Sequence, residues 1–533
     1  MDRQQERLLL AAIAKDRMGR RDFMRRAAVL GVGAVAAANF WGGNARAAEP
    51  KTGGHFRVGV GAGSTTDSLD PAVYDDSFDL AMGWSFANCL TVIDKNGELA
   101  PELAESWSPS ADAATWTVKL RKGVEFHNGK TMTADDVVAT INHHRGPDSK
   151  SGAAGILTSI TDVKKDDDST VVFTLSSGSA DFPYLLSDYH LIILPVVDGK
   201  LDAAGGIGTG PFKVDNFEPG VRMEMSRNPN YWKEGLPYFD TYSVLAILDP
   251  SARVNALQTN EVDAIDRVDV KIVDRLARVP GVNILENTGY LHYTFPMRCD
   301  TAPFDDNNVR MALKLALDRE ELMRKILRGH GTLGNDQPIG PNDPFFDASL
   351  EQRTYDPEKA KWHLKQAGLS SLSVELDAAE AAYVGAVDAS VLYAEQARKA
   401  GIDIKVNRVS NDGYWSSVWM NKPWCACYWG GRPTADWMFS TAYAADAAWN
   451  DTFWKNEQFN KLLVEARAEL DKDKRAQMYA EMQTLVRDDG GAVVWAFANN
   501  IMGVSDKVCH DEAVASNYPL DGWRASQRWW FCD

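Results

Sequence analysis

Residues 414–454, YWSSVWMNKPWCACYWGGRPTADWMFSTAYAADAAWNDTFW, hold seven of the chain's 17 tryptophans: Trp415, Trp419, Trp424, Trp429, Trp437, Trp449 and Trp454. Each indole carries a large apolar surface that the fold must cover. The centre of the stretch, Trp429-Gly430-Gly431-Arg432-Pro433, cannot continue a helix or a strand, because glycine lacks a side chain and proline lacks an N–H. Aromatic walls beside a loop that carries one arginine are what a pocket for a small, partly charged ligand needs. The same tryptophans also serve as ordinary core. The density around one arginine-bearing loop favours the pocket, with Trp415, Trp429, Gly430 and Arg432 as its candidates.

The chain has 533 residues, enough for roughly three or four domain-sized units or two large lobes. A hydrophobic content of 45% with 25% charged residues describes a globular protein with a sizeable core. Its net charge of -17 argues against a nucleic-acid partner. No apolar run approaches the roughly 18 residues of a membrane span.

The first 47 residues read as a targeting segment. Arg20-Arg21-Asp22-Phe23-Met24-Arg25 is a twin-arginine pattern, residues 27–40 are apolar, and Ala45-Arg46-Ala47 offers the small residues of a cleavage site. The alternative is an uncleaved helical anchor. Cleavage after Ala47 removes nine Lys+Arg and four Asp+Glu, leaving 48 basic and 70 acidic residues and a formal charge of -22. The expectation is an exported, acidic, periplasmic protein. Twin-arginine signals are read as an address, not an anchor. The cysteines are Cys89, Cys299, Cys425, Cys427, Cys509 and Cys532. Six allow about 15 pairings in an oxidising compartment. Cys425-Ala426-Cys427 has no histidine or second cysteine pair near it in sequence, so a structural disulfide is expected from it rather than a metal site.

Along the chain, strands and helices alternate in both halves, which implies α/β layers. A strand over 56–60 is followed by a turn-rich segment ending Ser68-Leu69-Asp70-Pro71. Residues 90–99 read as strand, Asn-Gly turn, strand. Residues 115–120 alternate as a strand, and Thr133 with Asp136 caps a helix. Val309, Ala312, Leu313, Ala316, Leu317 and Leu322 keep one helical face. Asp356-Pro357 starts a further helix that Gly368 stops.

Several of these segments together resemble one family. They are LDP (69–71), NGELAPELAESW (96–107), LRKGVEFHNGKTMTADDVV (120–138), GTGPF (208–212), RNPNYW (227–232), NEVDAI (260–265), PFDDNNVRMALKLALDREEL (303–322) and YDPEKAKWHLKQAG (355–368). The run is similar to the extracytoplasmic solute-binding proteins of peptide and nickel ABC importers. The resemblance implies a bilobal, class II-like periplasmic-binding-protein fold. Lobe I would span 49–288 plus 503–533, with a sub-domain insertion at about 74–206, and lobe II would span 289–502. Two hinge crossings would lie near 286–296 and 496–504. It further implies a small-molecule solute, a membrane permease and ATPase as partners, a monomer, no cofactor and no catalysis.

Residue by residue, the resemblance brings Asp75, Ser77 and Phe78 into the cleft from the segment after LDP. Peptide binders of this type often carry an aspartate shortly after a Trp-Gly pair, where it meets the ligand's ammonium group. This chain has Arg432 there, and its nearest acid is Asp436. A guanidinium pairs with a carboxylate or phosphate. The expected solute is therefore a peptide or amino-acid-derived, opine-like compound whose anionic group meets Arg432. Trp415 and Trp429 would stack on it, and Asp75 or Asp436 would take an amine. Alternatively, Arg432 pairs with Asp436 and pins the loop. Two other functions are an oligosaccharide or metal-chelate carrier, allowed by the tryptophans, and an exported hydrolase using Asp75-Asp76. Adjacent carboxylates point apart, however, and no G-x-S-x-G, H-E-x-x-H or Walker A pattern occurs. His143-His144 reads as a solvated helix end, and Asp166-Asp167-Asp168 as a hairpin turn.

Overall fold

Strands in globular proteins run about 5–6 residues, yet Val282–Pro296 has 15 and Ala492–Ser505 has 14. In the computed structural model, which describes residues 50–146, 149–410 and 414–532, these two strands lie antiparallel along their whole length. The pairing runs from Val282 opposite Ser505 to Pro296 opposite Ala492, with a break between Thr288 and His292. One end joins a sheet ordered Phe212–Glu218, Arg222–Arg227, Thr241–Ala246, His55–Val60, Ala264–Ile265. The other end takes Cys427–Trp429 on one strand and Gly331–Leu333 on its neighbour.

Each end has its own core. Phe56, Val58, Val244, Met502 and Val504 pack together at the first, and Phe295, Met297, Val493 and Trp495 at the second. Ala492 to Ala498 is buried throughout, as a strand covered on both faces must be. The result is a mixed α/β molecule of two lobes that share one ladder.

Two further units complete the lobes. On the first, Ala104–Pro109, Thr115–Leu120, Thr170–Leu175 and Ile160–Asp167 form a four-stranded sheet in that order. Helix Ala134–His143 covers it through Val137 and Ile141. The Asp136 carboxylate accepts the Thr133 N–H at 2.8 Å, which satisfies a donor left open at the helix start. On the second lobe, parallel strands Leu372–Ala378 and Ile402–Arg408 flank helix Ala386–Ala397. Helices Ala435–Ala442, Glu457–Ala468 and Lys472–Asp489 pack beside them. The lobes also touch away from the long strands. Arg475 meets Asp181, and the Ala180 N–H donates to the Arg467 carbonyl at 2.7 Å.

Most local expectations hold. The Asn-Gly turn joins Thr91–Ile93 to Leu99–Pro101 with Gly97 at φ 83°, and Asp356 caps helix Pro357–Gln366. Gly208 and Gly210 lie so close to the Phe86–Ala87 backbone that a Cβ would meet it at 2.2–2.4 Å. GTGPF is thus a packing element. The single helical face expected over 309–322 is instead two helices, Asn307–Leu315 and Arg319–Lys325, because Asp318 caps the second. The disulfide expectation needs a larger correction. Cys509 and Cys532 are the bonded pair, and Cys425 and Cys427 are free and buried. Residues two apart on one extended segment cannot reach each other, and burial pushes the Cys425 thiol well up, so it stays protonated. The twin-arginine reading of residues 1–47 lies outside the described residues.

The Cys509–Cys532 bond closes a 23-residue separation. Cys509→Ser/Cys532→Ser is expected to lower stability by about 2–4 kcal/mol, the usual range for such a loop. Chemical denaturation under oxidising conditions checks this. Reduction should destabilise the native protein to the same extent and leave the double variant unchanged.

Candidate functional site

The glycine-rich loop begins where a short strand ends. Cys427–Trp429 pairs with His292, Tyr293 and Thr294, just beyond the break in the long ladder. Gly431 then passes over Tyr290, with only 2.3 Å between an added Cβ and the Tyr290 Cβ, so no side chain fits. Thr434 ends the loop by capping helix Ala435–Ala442, its Oγ1 accepting the Trp437 N–H at 3.2 Å. Arg432 is therefore fixed between a strand end and a helix start, at the level of the hinge.

Opposite it, residues of the first lobe complete a cavity of about 330 Å³. Ser187, Asp188, Tyr189 and His190 come from the segment after helix Phe182–Leu185, and Trp84 from helix Ser77–Phe86. Tyr518 and Arg524 come from the C-terminal segment, where Leu520, Asp521 and Gly522 all have φ between 51° and 66°. Two consecutive non-glycine residues in the left-handed region are uncommon and mark a locally held turn. Trp437, Thr441 and Trp449 line the second-lobe side, and Tyr290 lies at the hinge.

Four charged or chargeable side chains line this cavity, and three are compensated. The Arg524 Nη1 lies 3.2 Å from the buried Glu102 carboxylate, with the guanidinium 4.9 Å over the Trp84 ring. Asp188 and His190 pair at 2.6 Å. The other His190 nitrogen, Nε2, lies 3.0 Å from the Tyr74 carbonyl, so both ring nitrogens have partners. Arg432 differs. Its Nη1 donates only to carbonyls of its own loop, Gly430 at 3.2 Å and Gly431 at 3.3 Å. Among the described residues no carboxylate lies within ion-pairing distance of it. Burial pulls its pKa below the ordinary arginine value, against the influence of Tyr518, Tyr189 and Asp188.

The structure distributes the other expected site residues as follows. Asp436 is held by the Arg467 guanidinium at 3.1 Å, so the alternative Arg432–Asp436 pair does not form. Asp75 is exposed outside the cavity, and its N–H donates to Asp79. Ser77 accepts a hydrogen bond from Arg267 at 2.9 Å, and Phe78 is fully buried core. Trp415 is 40% exposed and meets Trp419 and Tyr428 edge-on. Trp429 stands behind the wall. Its indole N–H and that of Trp419 both donate to Asp451 Oδ2, at 3.2 and 3.1 Å, and both rings pack on the cavity-lining Trp449. Gly430 contributes the carbonyl that holds Arg432. Asp188, Tyr189, Tyr518 and Trp84 are the wall residues that sequence reasoning missed. A legible signal existed for the first two, since Ser187-Asp188-Tyr189-His190 interrupts an apolar run. Tyr518 had none.

A two-lobed α/β molecule with a partly open, partly charged cavity between its lobes has the architecture of a ligand-binding protein. Residues 98–451 match the family model of the bacterial extracellular solute-binding proteins, family 5, and the chain belongs to that family, the solute-binding components of ABC importers. It is 29% identical over 445 residues to the dipeptide-binding protein of Escherichia coli (strain K12), covering 75% of this chain and 81% of that one. It is 25% identical over 467 residues to the glutathione-binding protein GsiB of Pectobacterium atrosepticum, covering 84% and 90%. The solved structure of the periplasmic binding protein DppA from Helicobacter pylori, in complex with the peptide STSA, superposes with a TM-score of 0.73. It is 23% identical, covering 91% of this chain and 99% of that one, and shares the fold. No helix of the described residues is long and apolar enough to cross a membrane.

Three buried carboxyls around the site set a pH dependence. Burial pushes Asp451 to about 6 despite its two indole donors, and pushes Asp79 and Asp343 to about 7. Each has an ordinary value of 3.8, so between there and the raised value the folded state binds more protons than the unfolded chain. Stability contributed by these groups falls as pH rises from about 4 to about 7 and is flat above. Among the described residues Asp79 Oδ1 has no hydrogen-bond partner. Asp79→Asn, a fixed neutral form, should flatten this slope and stabilise the protein at pH 7.5 by roughly 1–3 kcal/mol. Denaturation midpoints between pH 4.5 and 7.5 check both effects.

Proposed function

We propose that this chain captures a peptide or amino-acid-derived solute, zwitterionic or anionic and opine-like in charge, between its lobes and delivers it to an ABC permease. The observation that carries this reading is the uncompensated Arg432 in a wall whose other charges are paired. A buried guanidinium without a counter-charge is costly, and a ligand carboxylate removes that cost. The cavity's size, at the low end for ligand sites, suits a compact solute better than an oligosaccharide.

On this reading the rigid bodies are 49–288 with 503–533, and 289–502. Open and closed forms differ by a few kcal/mol, and a ligand that touches both lobes tips the balance. The twin-arginine pattern and the relatives' periplasmic setting support export to the periplasm, with cleavage after Ala47. No reaction is needed, and the relatives it resembles are binding proteins.

Isothermal titration with alanyl-alanine, methionyl-leucine and glutathione, with each ligand recovered and its mass measured, tests the proposal. At least one should bind at 1:1 stoichiometry, be recovered intact and lose at least tenfold affinity in Arg432→Ala. Hydrolysis products, or an Arg432→Ala affinity equal to wild type, would contradict it.

A further inference from the structure

After strand Thr170–Leu175 of the first lobe the chain passes Gly178, Ala180 and Asp181, then turns into helix Phe182–Leu185 and the cavity-lining residues 187–190. That passage meets the second lobe at three points away from the long strands. An added Cβ on Gly178 would lie 3.1 Å from the Ala468 Cβ, so Gly178 sits against the end of helix Glu457–Ala468. The Ala180 N–H donates to the Arg467 carbonyl at 2.7 Å. The Asp181 carboxylate accepts from the guanidinium of Arg475, near the start of helix Lys472–Asp489. Both side chains of this pair are nearly buried, at 10% and 9% exposure.

Among the described residues neither Asp181 nor Arg475 makes another ion pair. Arg475 otherwise meets rings, its guanidinium 4.7 Å from the Phe345 centroid and 5.7 Å from that of Tyr479, and its Nε has no hydrogen-bond partner among those residues. The acids near it in its own lobe are engaged elsewhere. Asp436 pairs with Arg467 at 3.1 Å, and Asp343 accepts the Phe345 N–H at 2.8 Å. Burial raises both of these carboxyls, the Asp181 charge adds to the rise, and Arg475 opposes it. Arg475 is thus the cation between Asp181 of one lobe and two carboxyls of the other. Breaking a buried pair from one side is costly, because the remaining charge is left alone. The contact also lies off the long-strand ladder, so it opposes rotation of the lobes about that ladder. We infer that Asp181 and Arg475 are positioning residues, whose ion pair clasps the lobes without help from a solute and holds residues 187–190 opposite the Arg432 loop. The clasp acts whatever the solute is, and so stands apart from the reading above.

The test is small-angle X-ray scattering at pH 8.5 on the full chain, dialysed and shown empty by native mass spectrometry, in wild type, Asp181→Asn, Arg475→Met and the double variant. Asparagine is isosteric with aspartate and methionine keeps an apolar stem over Phe345, and circular dichroism checks that each variant is folded. Asp181→Asn should raise the radius of gyration, because the clasp is lost. Arg475→Met should raise it further, because Asp181 then faces Asp343 and Asp436 with no cation between them. The double variant should fall back to the Asp181→Asn value. Merely lost packing would instead make the double variant the most open of the four. A wild-type radius in Asp181→Asn, or a double variant at least as open as Arg475→Met, would overturn the clasp. Neither result bears on the proposed solute, since none is present.

Discussion

The ladder between Val282–Pro296 and Ala492–Ser505 is the constraint on which the rest of the molecule depends. Backbone groups at each end are tied to different neighbouring strands of one sheet and to different cores, so neither strand can shift without disturbing both. The ladder has its widest lapse between Thr288 and His292, with a second irregularity between Tyr293 and Thr294. Few backbone hydrogen bonds need to change there for the lobes to move, and Tyr290 and the Arg432 loop sit on that point. On the proposed reading, the point of mechanical freedom and the ligand chemistry coincide.

The aromatic stretch around Arg432 works by division of labour. Trp424 and Trp454 are core, while Trp419 and Trp429 share one oxygen of Asp451. That buried carboxylate orients two indoles at once, and they in turn support Trp449 in the cavity wall. Compensation of Arg524 by Glu102 and of Asp188 by His190 leaves Arg432 as the wall's single unbalanced charge among the described residues. On the proposed reading, a ligand anion completes the set of charges.

How far all this was legible follows from the range of the interactions. Caps, turns and strand alternation are local, and Thr133, Asn96-Gly97 and Asp356 each announced the element they begin. The two-lobed α/β plan followed from motifs spread along the chain. Arg432 stood out because its flanking glycines and proline mark a loop. Its surroundings were not legible. Asp436 lies four residues away in sequence but turns to Arg467, and Tyr518 arrives from the far end of the chain. Ser77 and Phe78 are held by Arg267 and by the core, contacts that no spacing reveals. The disulfide was misread for the same reason. Cys509 and Cys532 meet through the terminal strand pair, whereas Cys425 and Cys427, two apart on one extended segment, cannot reach each other.

The central claim is that the cavity holds a compact solute through an anionic group on Arg432. Native mass spectrometry of the protein purified from its own cellular compartment, followed by denaturation and identification of the released molecule, tests it most directly. The account predicts a small carboxylate-bearing anion or zwitterion, bound one per chain and absent from Arg432→Ala. A neutral sugar or a metal chelate in its place, or the same load retained by Arg432→Ala, would contradict it.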